Sequence, residues 1–116
     1  MEDYENNCYK FILNLAKELA QDYDVQYQHM EEFARWNLPE EIALEWIDAK
    51  GMVDVLECKK CIPKETLDLL REIMNAFILE FEKIDNSVWT HEAMEKSAFW
   101  NMQRLKARKA LDKMEA

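Results

Sequence analysis

Residues 67–84 read LDLLREIMNAFILEFEKI and carry the strongest helical pattern in the chain. Apolar side chains recur there at steps of three and four residues: Leu67, Leu70, Met74, Phe77, Phe81 and Ile84. This spacing places them along one face of an α-helix. The sequence therefore predicts a long amphipathic helix in the pattern that restarts at Pro63.

The N-terminal part of the chain has the same spacing. Its apolar stripe passes through Cys8, Ile12, Leu15, Leu19, Tyr23, Tyr27, Met30 and Ala34. Asp22 and Asp24 stand within this stripe and introduce two charges. We therefore predict a helix from about residue 3 to about residue 35 that is broken or kinked near the two aspartates.

A second helical segment is predicted to start at Leu38 and Pro39. Proline disfavours the helical region for the residue before it, but it is well placed in the first turn of a new helix. Apolar residues keep one register straight through Gly51: Ile42, Trp46, Ala49, Val53 and Leu56. We therefore place Gly51 inside a continuous helix, at a cost of about 1 kcal/mol relative to alanine, and expect Trp46 to anchor the core. The alternative is that Gly51 is the C′ residue of a short helix ending at Lys50.

Two hydroxyl residues mark helix starts near the C-terminus. Thr90 precedes HEAMEK and Ser97 precedes the final helical pattern, and each hydroxyl can accept a hydrogen bond from an exposed backbone N–H. One glycine and two prolines provide little turn chemistry for hairpins and no glycine-rich phosphate loop. The predicted fold is all-α: residues 1–116 form a single domain, an antiparallel bundle of about four main helices plus short helical pieces.

Composition bounds the class of protein. Of the 116 residues, 49% are hydrophobic and 34% are charged, which suits a packed core with a solvated surface rather than a disordered chain. No run of about 18 apolar residues occurs. The N-terminal sequence MEDYENN lacks the basic and apolar regions of a signal peptide. We therefore expect a cytoplasmic protein.

The stretch FWNMQRLKARKALDKM, residues 99–114, is basic within an acidic chain. Residues 96–116 carry six bases and two acids, a balance of +4, whereas residues 1–95 carry nine bases and 22 acids, a balance of −13. Phosphate binding depends on the summed positive potential, and an acidic body is repelled by anionic lipid. We therefore expect no nucleic-acid and no membrane partner.

The bundle prediction instead makes this stretch an internal strut. The residues expected to face the other helices are Trp100, Leu105, Ala107, Leu111 and Met114. The basic residues are expected on the flanks and the outer face: Arg104, Lys106, Arg108, Lys109 and Lys113. Reversing two of the three residues Arg104, Arg108 and Lys109 to glutamate is then expected to leave the fold intact, because exposed ion pairs contribute only about 0.2 to 1 kcal/mol each.

The motif CKKC, Cys58 to Cys61, has the spacing of a redox pair or of half a zinc site. A structural zinc ion needs four ligands, and only Cys8, His29 and His91 remain as thiol or imidazole ligands. We expect two ordinary thiols near a helix end and no metal or cofactor. A redox or metal module remains a third function hypothesis, to be tested by thiol titration or bound zinc.

The two histidines lack the partners that catalysis requires. Neither His29 nor His91 stands at a recognisable motif spacing from a serine or cysteine, and no Glu-x-x-His motif of a di-iron bundle is present. We expect both imidazoles on the solvent side or in capping positions. The sequence therefore predicts a protein without enzymatic activity.

Acidic residues suggest a binding surface. Glu41, Glu45 and Asp48 share one face of the second segment, and the third segment repeats this pattern with Glu65, Asp68 and Glu72. If the two helices are adjacent, the six residues could present one negative patch. Such a patch would dock a basic protein partner and speed its association. The alternative is a solvated face that only confers solubility.

Three segments then carry a resemblance. LPEEIALEWIDA, IPKETLDLLREI and VWTHEAMEKSAFWNMQRLKARKAL resemble, in order and character, small acidic all-helical bacterial immunity proteins of polymorphic or contact-dependent toxin systems. The resemblance covers about residues 38 to 112 and rests on core tryptophans and helix starts. It implies stoichiometric inhibition of a cognate toxin domain, such as a nuclease with a basic active site, and assigns no individual site residue. The alternative function is a regulatory or adaptor bundle that binds a partner helix or a small apolar ligand.

Overall fold

The computed structural model describes residues 2–115, and every regular element in that range is helical. In chain order these are α1 (Glu2–Leu19), α2 (Tyr23–His29), the 3-10 helix η1 (Glu32–Asn37), α3 (Leu38–Asp48), α4 (Lys50–Cys58), α5 (Lys64–Glu82), α6 (His91–Lys96) and α7 (Ala98–Glu115). The predicted all-α class is confirmed. The antiparallel four-helix arrangement and the single domain over residues 1–116 stay predictions.

Helix α5 forms where the strongest apolar pattern predicts it. Four residues of the predicted stripe are buried: Leu67, Leu70, Met74 and Phe77. The last two are not, because Phe81 is exposed and Ile84 is 100% exposed. Ile84 lies beyond the helix, because α5 ends at Glu82 and Lys83 has extended backbone with ψ 147°. Phe81 is in the last turn of α5, where its ring stacks on that of Trp89 with the centroids 4.3 Å apart.

The predicted break near Asp22 and Asp24 is confirmed, since α1 ends at Leu19 and α2 begins at Tyr23. The predicted continuation of the helix to residue 35 is wrong. Helix α2 ends at His29, and Met30 has extended backbone with ψ 141°. The Arg35 side chain folds back onto this end and donates to the Tyr27 carbonyl at 3.0 Å and the Met30 carbonyl at 3.1 Å. Those oxygens are ones that a continuing α-helix would use for its own next turn.

The register predicted through Gly51 is confirmed. All five residues of the predicted stripe are buried: Ile42, Trp46, Ala49, Val53 and Leu56. The helix is not continuous, however, because Ala49, with ψ 1°, separates α3 from α4. Gly51 lies inside α4 and has no positive φ, so it is not the C′ residue of a helix ending at Lys50.

Both predicted N-caps are present. The Ala93 N–H donates to Thr90 Oγ1 at 3.0 Å, and the Trp100 N–H donates to Ser97 Oγ at 3.2 Å. Each hydroxyl satisfies one backbone donor that the first helical turn leaves free. Ser97 is the single residue between α6 and α7, and its hydroxyl caps α7 directly after α6 ends.

The core lies between the longer helices. Helix α7 packs against α1 and α5, α1 also packs against α4, and α3 packs against α5. Trp46, Trp100 and Phe77 are the largest fully buried side chains of one apolar cluster, and the Trp100 ring centroid lies 5.2 Å from that of Phe77. Within residues 2–115, no helix combines the length and the apolar character needed to cross a membrane.

The inner face of α7 differs in part from the prediction. Trp100, Ala107 and Met114 are buried as expected, whereas Leu111 is half-buried and Leu105 is exposed. Arg104, predicted on the flank or outside, is buried and only 4% exposed. The reason is that the C-terminal end of α1 lies against this part of α7. Its free carbonyl groups need hydrogen-bond donors, which the Arg104 guanidinium provides and a leucine side chain would not.

Candidate protein-binding face

The three predicted carboxylates of α5 are exposed, and each has a lysine partner. The N···O distances are 2.8 Å for Glu65 and Lys113, 3.1 Å for Asp68 and Lys64, and 3.3 Å for Glu72 and Lys106. The hydrogen bond from Lys113 lowers the pKa of Glu65, which favours its charged form. Lys106 and Lys113 belong to α7, so part of the basic helix neutralises α5 locally.

The three predicted carboxylates of α3 lack such partners. Within residues 2–115, no lysine, arginine or histidine nitrogen lies within 4.0 Å of a carboxylate oxygen of Glu41, Glu45 or Asp48. Glu41 Oε1 accepts a neutral hydrogen bond from Asn37 Nδ2 at 3.1 Å. Partial desolvation raises the pKa of Glu45, and the negative charges of Glu18 and Glu41 raise it further. We call Glu41, Glu45 and Asp48 the α3 acidic face.

Glu45 of α3 and the α5 residues Glu65 and Glu72 lie on different flanks, which argues against the one patch that the sequence suggests. On α3, Ile47 faces α5 and lines a cleft with Met74 and Ile78, whereas Glu45 lies on the other flank, near Glu18 of α1. On α5, Glu65 and Glu72 lie on the flank that faces α7. Although α3 and α5 are neighbours, their acidic flanks point away from their shared contact.

Sequence reasoning missed the most exposed aromatic residues of the described chain. Phe33 and Trp36, on η1, are each 78% exposed. A 3-10 helix has three residues per turn, so residues three apart lie on the same side. We call Phe33 and Trp36 the η1 aromatic pair. A signal was present in the sequence, because on a continued α-helix both rings would lie away from the stripe of Tyr27, Met30 and Ala34.

The backbone that carries the η1 aromatic pair is held by side chains from neighbouring elements. Besides its bonds to the end of α2, the Arg35 guanidinium lies 4.9 Å from the centroid of the Tyr27 ring. His91 Nε2 lies 3.3 Å from the Trp36 carbonyl oxygen, and His91 Nδ1 is hydrogen-bonded to the Tyr23 hydroxyl. A neutral His91 satisfies both contacts if Tyr23 donates to Nδ1 and Nε2–H donates to the carbonyl.

The arginines of α7 bind the end of α1. Arg108 Nε donates to the Ala20 carbonyl at 2.9 Å, and Arg104 Nε donates to the Gln21 carbonyl at 3.2 Å. The buried Gln26 side chain donates to the Leu19 carbonyl at 3.1 Å and accepts from Arg104 at 2.8 Å. Positive charge is favourable at a helix C-terminus, where carbonyl groups lack partners.

The burial of Arg104 argues against including this residue among the basic residues that tolerate reversal to glutamate. Burial lowers the pKa of the Arg104 guanidinium, which remains charged in proteins. A carboxylate at position 104 would instead face the carbonyl oxygen of Gln21 and the side-chain oxygen of Gln26. At position 104 the basic stretch therefore has a structural role, because Arg104 holds α7 to the end of α1.

A polar cavity of about 270 Å³ opens beside the arginines of α7. Its lining combines three carboxylates and two guanidinium groups with other polar groups: Asp22, Tyr23, Asp24, Glu95, Asn101, Arg104 and Arg108. Arg108 and Asp22 already pair at 3.2 Å. The near balance of charge gives this cavity no clear preference for an anion or a cation.

The apolar cleft between α3 and α5 has a volume of about 120 Å³. Pockets for small ligands usually measure about 300 to 1,000 Å³. The cleft is therefore too small to support the alternative of a small apolar ligand at this place.

Cys58 and Cys61 are exposed at the C-terminal end of α4, whereas Cys8 is buried. Lys60 between them has φ 56°, and the Cys61 N–H donates to the Leu56 carbonyl at 3.0 Å, as in a Schellman motif. Redox Cys-x-x-Cys pairs are activated at helix N-termini, where N–H groups stabilise a thiolate; this pair lies at the opposite end. In the described range, no three or more histidine, cysteine or acidic residues cluster as metal ligands do.

The histidines occupy structural positions. His29 is exposed and its Nδ1 lies 2.8 Å from Glu18 Oε2, in agreement with the predicted solvent-side position. His91 is half-buried and joins α6 to α2 and η1. Its role in supporting η1 was not visible in the sequence.

Comparison with known proteins adds no further identification. No protein-family model matches the chain, and no curated protein or solved structure shows detectable similarity to it.

Proposed function

We propose that this chain is a stoichiometric protein-binding module whose α3 acidic face binds a basic protein partner. The observation that carries the proposal is the contrast between two carboxylate groups. Glu65, Asp68 and Glu72 are paired with lysines, whereas the α3 acidic face has no cation within 4.0 Å in residues 2–115. A partner's lysines or arginines would supply the missing charges.

The electrostatics of the α3 acidic face favour a cationic partner. The raised pKa of Glu45 means that its ionised form is disfavoured by desolvation and by Glu18 and Glu41. Cations brought by a partner would relieve this repulsion on binding. The net charge of −9 would also steer a basic partner toward the molecule and raise its association rate.

The resemblance of residues 38 to 112 to bacterial immunity proteins specifies the partner further. On this basis the partner is a toxin domain with a basic active site, such as a nuclease, and the chain blocks it by occupying that site in the cytoplasm. The protein acts by binding and has no enzymatic activity of its own.

The test uses two matched variants. One carries Glu41→Gln, Glu45→Gln and Asp48→Asn; its control carries Glu65→Gln, Asp68→Asn and Glu72→Gln. Both remove the same charges from the same residue types. Proteins retained from the native host by the immobilised chain are identified, and the association rate of the purified partner is measured at two salt concentrations.

The α3 variant is expected to lower the association rate by about tenfold and to flatten its salt dependence, whereas the α5 variant changes it by less than about twofold. If the partner is a toxin domain, the wild-type chain inhibits it at equal molar amounts and the α3 variant does not. Equal effects of both variants, or no retained protein that distinguishes them, would contradict the proposal.

A further inference from the structure

We propose that the η1 aromatic pair, Phe33 and Trp36, is the apolar anchor of this interface and docks onto a basic, amphipathic segment of the partner; this inference rests on the proposed function of the α3 acidic face. The starting observation is exposure. Each of the two rings is 78% exposed, whereas Trp46 and Trp100 are buried in the core. Large aromatic side chains dominate binding energy when an interface buries them.

The η1 aromatic pair stands on a backbone that is already fixed. Arg35 ties η1 to the end of α2, and His91 contacts the Trp36 carbonyl oxygen. At the other end, the Asn37 side chain donates to Glu41. Binding would therefore order little more than the two rings, and a pre-organised surface loses less entropy on association.

The surroundings of the pair indicate the partner's charge. Glu31 and Glu32 are exposed on one side, and Glu41 follows on the other. Arg35 is the one lysine or arginine between Lys17 and Lys50, and it donates to the carbonyl oxygens of residues 27, 28 and 30. Its single positive charge is outweighed by the three glutamates. The rim of the pair is thus acidic, which favours lysines and arginines around an apolar contact.

The same charges argue against two other occupants. A second copy of this chain would bring the glutamates of both rims together, and like charges across an interface oppose association. An anionic membrane would be repelled in the same way. The bond between Asn37 and Glu41 joins the end of η1 to the α3 acidic face, so one basic partner can contact both.

Trp36 provides a direct probe. Of the four tryptophans, Trp46 and Trp100 are buried and Trp89 is half-buried, so quenching of fluorescence by acrylamide reports mainly on Trp36. The probe ligand is a synthetic amphipathic peptide of lysine and leucine. A peptide with serine in place of leucine has the same charge but lacks the apolar side chains.

The lysine and leucine peptide is expected to shield Trp36 from acrylamide, and the serine peptide is not. Phe33→Ala is expected to weaken binding of the first peptide, measured by calorimetry, by about tenfold or more. The matched control is Met102→Ala with Leu105→Ala, a second exposed apolar pair three residues apart, which is 48% and 43% exposed on α7. This control is expected to change the affinity by less than about twofold. Circular dichroism checks that each variant is folded.

Several outcomes would overturn the inference. They are equal shielding by both peptides, equal effects of the two alanine variants, and absence of shielding. Self-association abolished by Trp36→Ala would assign the pair to a second copy, and shielding by vesicles of anionic lipid would assign it to a membrane. If neutralising the α3 acidic face weakens partner binding but Phe33→Ala does not weaken peptide binding, the inference about the η1 aromatic pair is wrong and the proposed function stands. If Phe33→Ala weakens peptide binding but neutralising the α3 acidic face does not weaken partner binding, the proposed function is wrong and the η1 aromatic pair remains a binding site.

Discussion

Two tryptophans of this chain show how environment decides the importance of a residue. Trp46 lies in the core at 1% exposure, as its position in the Ile42 to Leu56 stripe predicts, whereas Trp36 is 78% exposed. Truncating a buried tryptophan removes its transfer free energy and leaves a cavity. Truncating an exposed tryptophan in the free protein loses little transfer free energy and leaves no cavity.

Trp46→Ala is therefore expected to lower the free energy of unfolding by about 3 to 5 kcal/mol. Trp36→Ala, which deletes the same side chain, is expected to change it by no more than about 0.5 kcal/mol. Urea denaturation followed by circular dichroism measures both. Similar losses for the two variants would mean that η1 packs onto the core.

Arg104 is a buried charge without a carboxylate within ion-pair distance in residues 2–115; its acceptors are neutral oxygens of Gln21, Gln26 and Asn101. Arg104→Met keeps most of the side-chain length but leaves the buried side-chain oxygen of Gln26 and the part-buried carbonyl of Gln21 without this donor. The expected loss of stability is about 1 to 3 kcal/mol. Lys109→Met, at an exposed position of the same helix, is the control and is expected to change stability by no more than about 0.5 kcal/mol. Equal losses of stability for Arg104→Met and Lys109→Met in thermal and urea unfolding would show that Arg104 does not stabilise the end of α1.

At the scale of elements, side chains and local turns define where the helices end. Gln26, Arg104 and Arg108 cover the end of α1, and Arg35 covers the end of α2. Helix α4 ends differently, with Lys60 in the left-handed region at φ 56°. Non-glycine residues adopt this region at a cost, since the Cβ atom crowds the backbone.

Lys60→Gly is therefore expected to stabilise the protein by about 0.5 to 1 kcal/mol, the relief of strain being reduced by the larger freedom of glycine in the unfolded chain. Lys59→Gly is the control, because Lys59 is also exposed but has φ −90°. It is expected to destabilise slightly. A rise in melting temperature for both variants, or for neither, would show that the turn conformation is not the cause.

At the scale of the whole molecule, 24 acidic residues face 15 basic ones, and the arrangement of the basic ones decides where charge remains. Lys106 and Lys113 neutralise α5, and Arg71 bridges α5 to Asp54 and Glu57 of α4. No comparable group reaches the α3 acidic face within residues 2–115. The negative charge of α3 is therefore left without a compensating cation in this part of the chain.

Two carboxylates are expected to respond oppositely to pH. Hydrogen bonds from Lys50 and Arg71 lower the pKa of Asp54, so its stabilisation is present above the unfolded-state pKa and is lost as pH falls through the lower folded-state pKa. The pKa of Glu45 is raised, so its ionised form opposes folding above that pKa, and the penalty disappears below the unfolded-state pKa.

At neutral pH, Asp54→Asn is expected to be less stable than the wild type and Glu45→Gln more stable, each by no more than about 1 kcal/mol because both groups lie at the surface. Both differences should vanish in acid. Urea unfolding at a series of pH values measures them, and a Glu45→Gln variant less stable than the wild type at neutral pH would reverse the assignment of Glu45.

Local chemistry was sufficient to predict much of the fold. The apolar periods of α5, α3 and α4, the break near Asp22, and the caps at Thr90 and Ser97 depend on neighbours within one or two helical turns. Because the interacting residues are close neighbours along the chain, the sequence alone identifies them. They define which helices form and which face of each is apolar. The α3 carboxylates, which are part of the proposed binding face, follow from the same periodicity.

Other features depend on which helix lies beside which, and the packing of the folded chain sets them. The carboxylates of α5 are neutralised because α7 supplies Lys106 and Lys113, and Arg104 is buried because the end of α1 meets it. Phe33 and Trp36 are exposed because Arg35 and His91 hold η1 away from the course of α2. Residues that are distant in sequence make many of these contacts. Periodicity along one segment cannot specify them, since it defines the apolar face of a helix but not the neighbour that covers it.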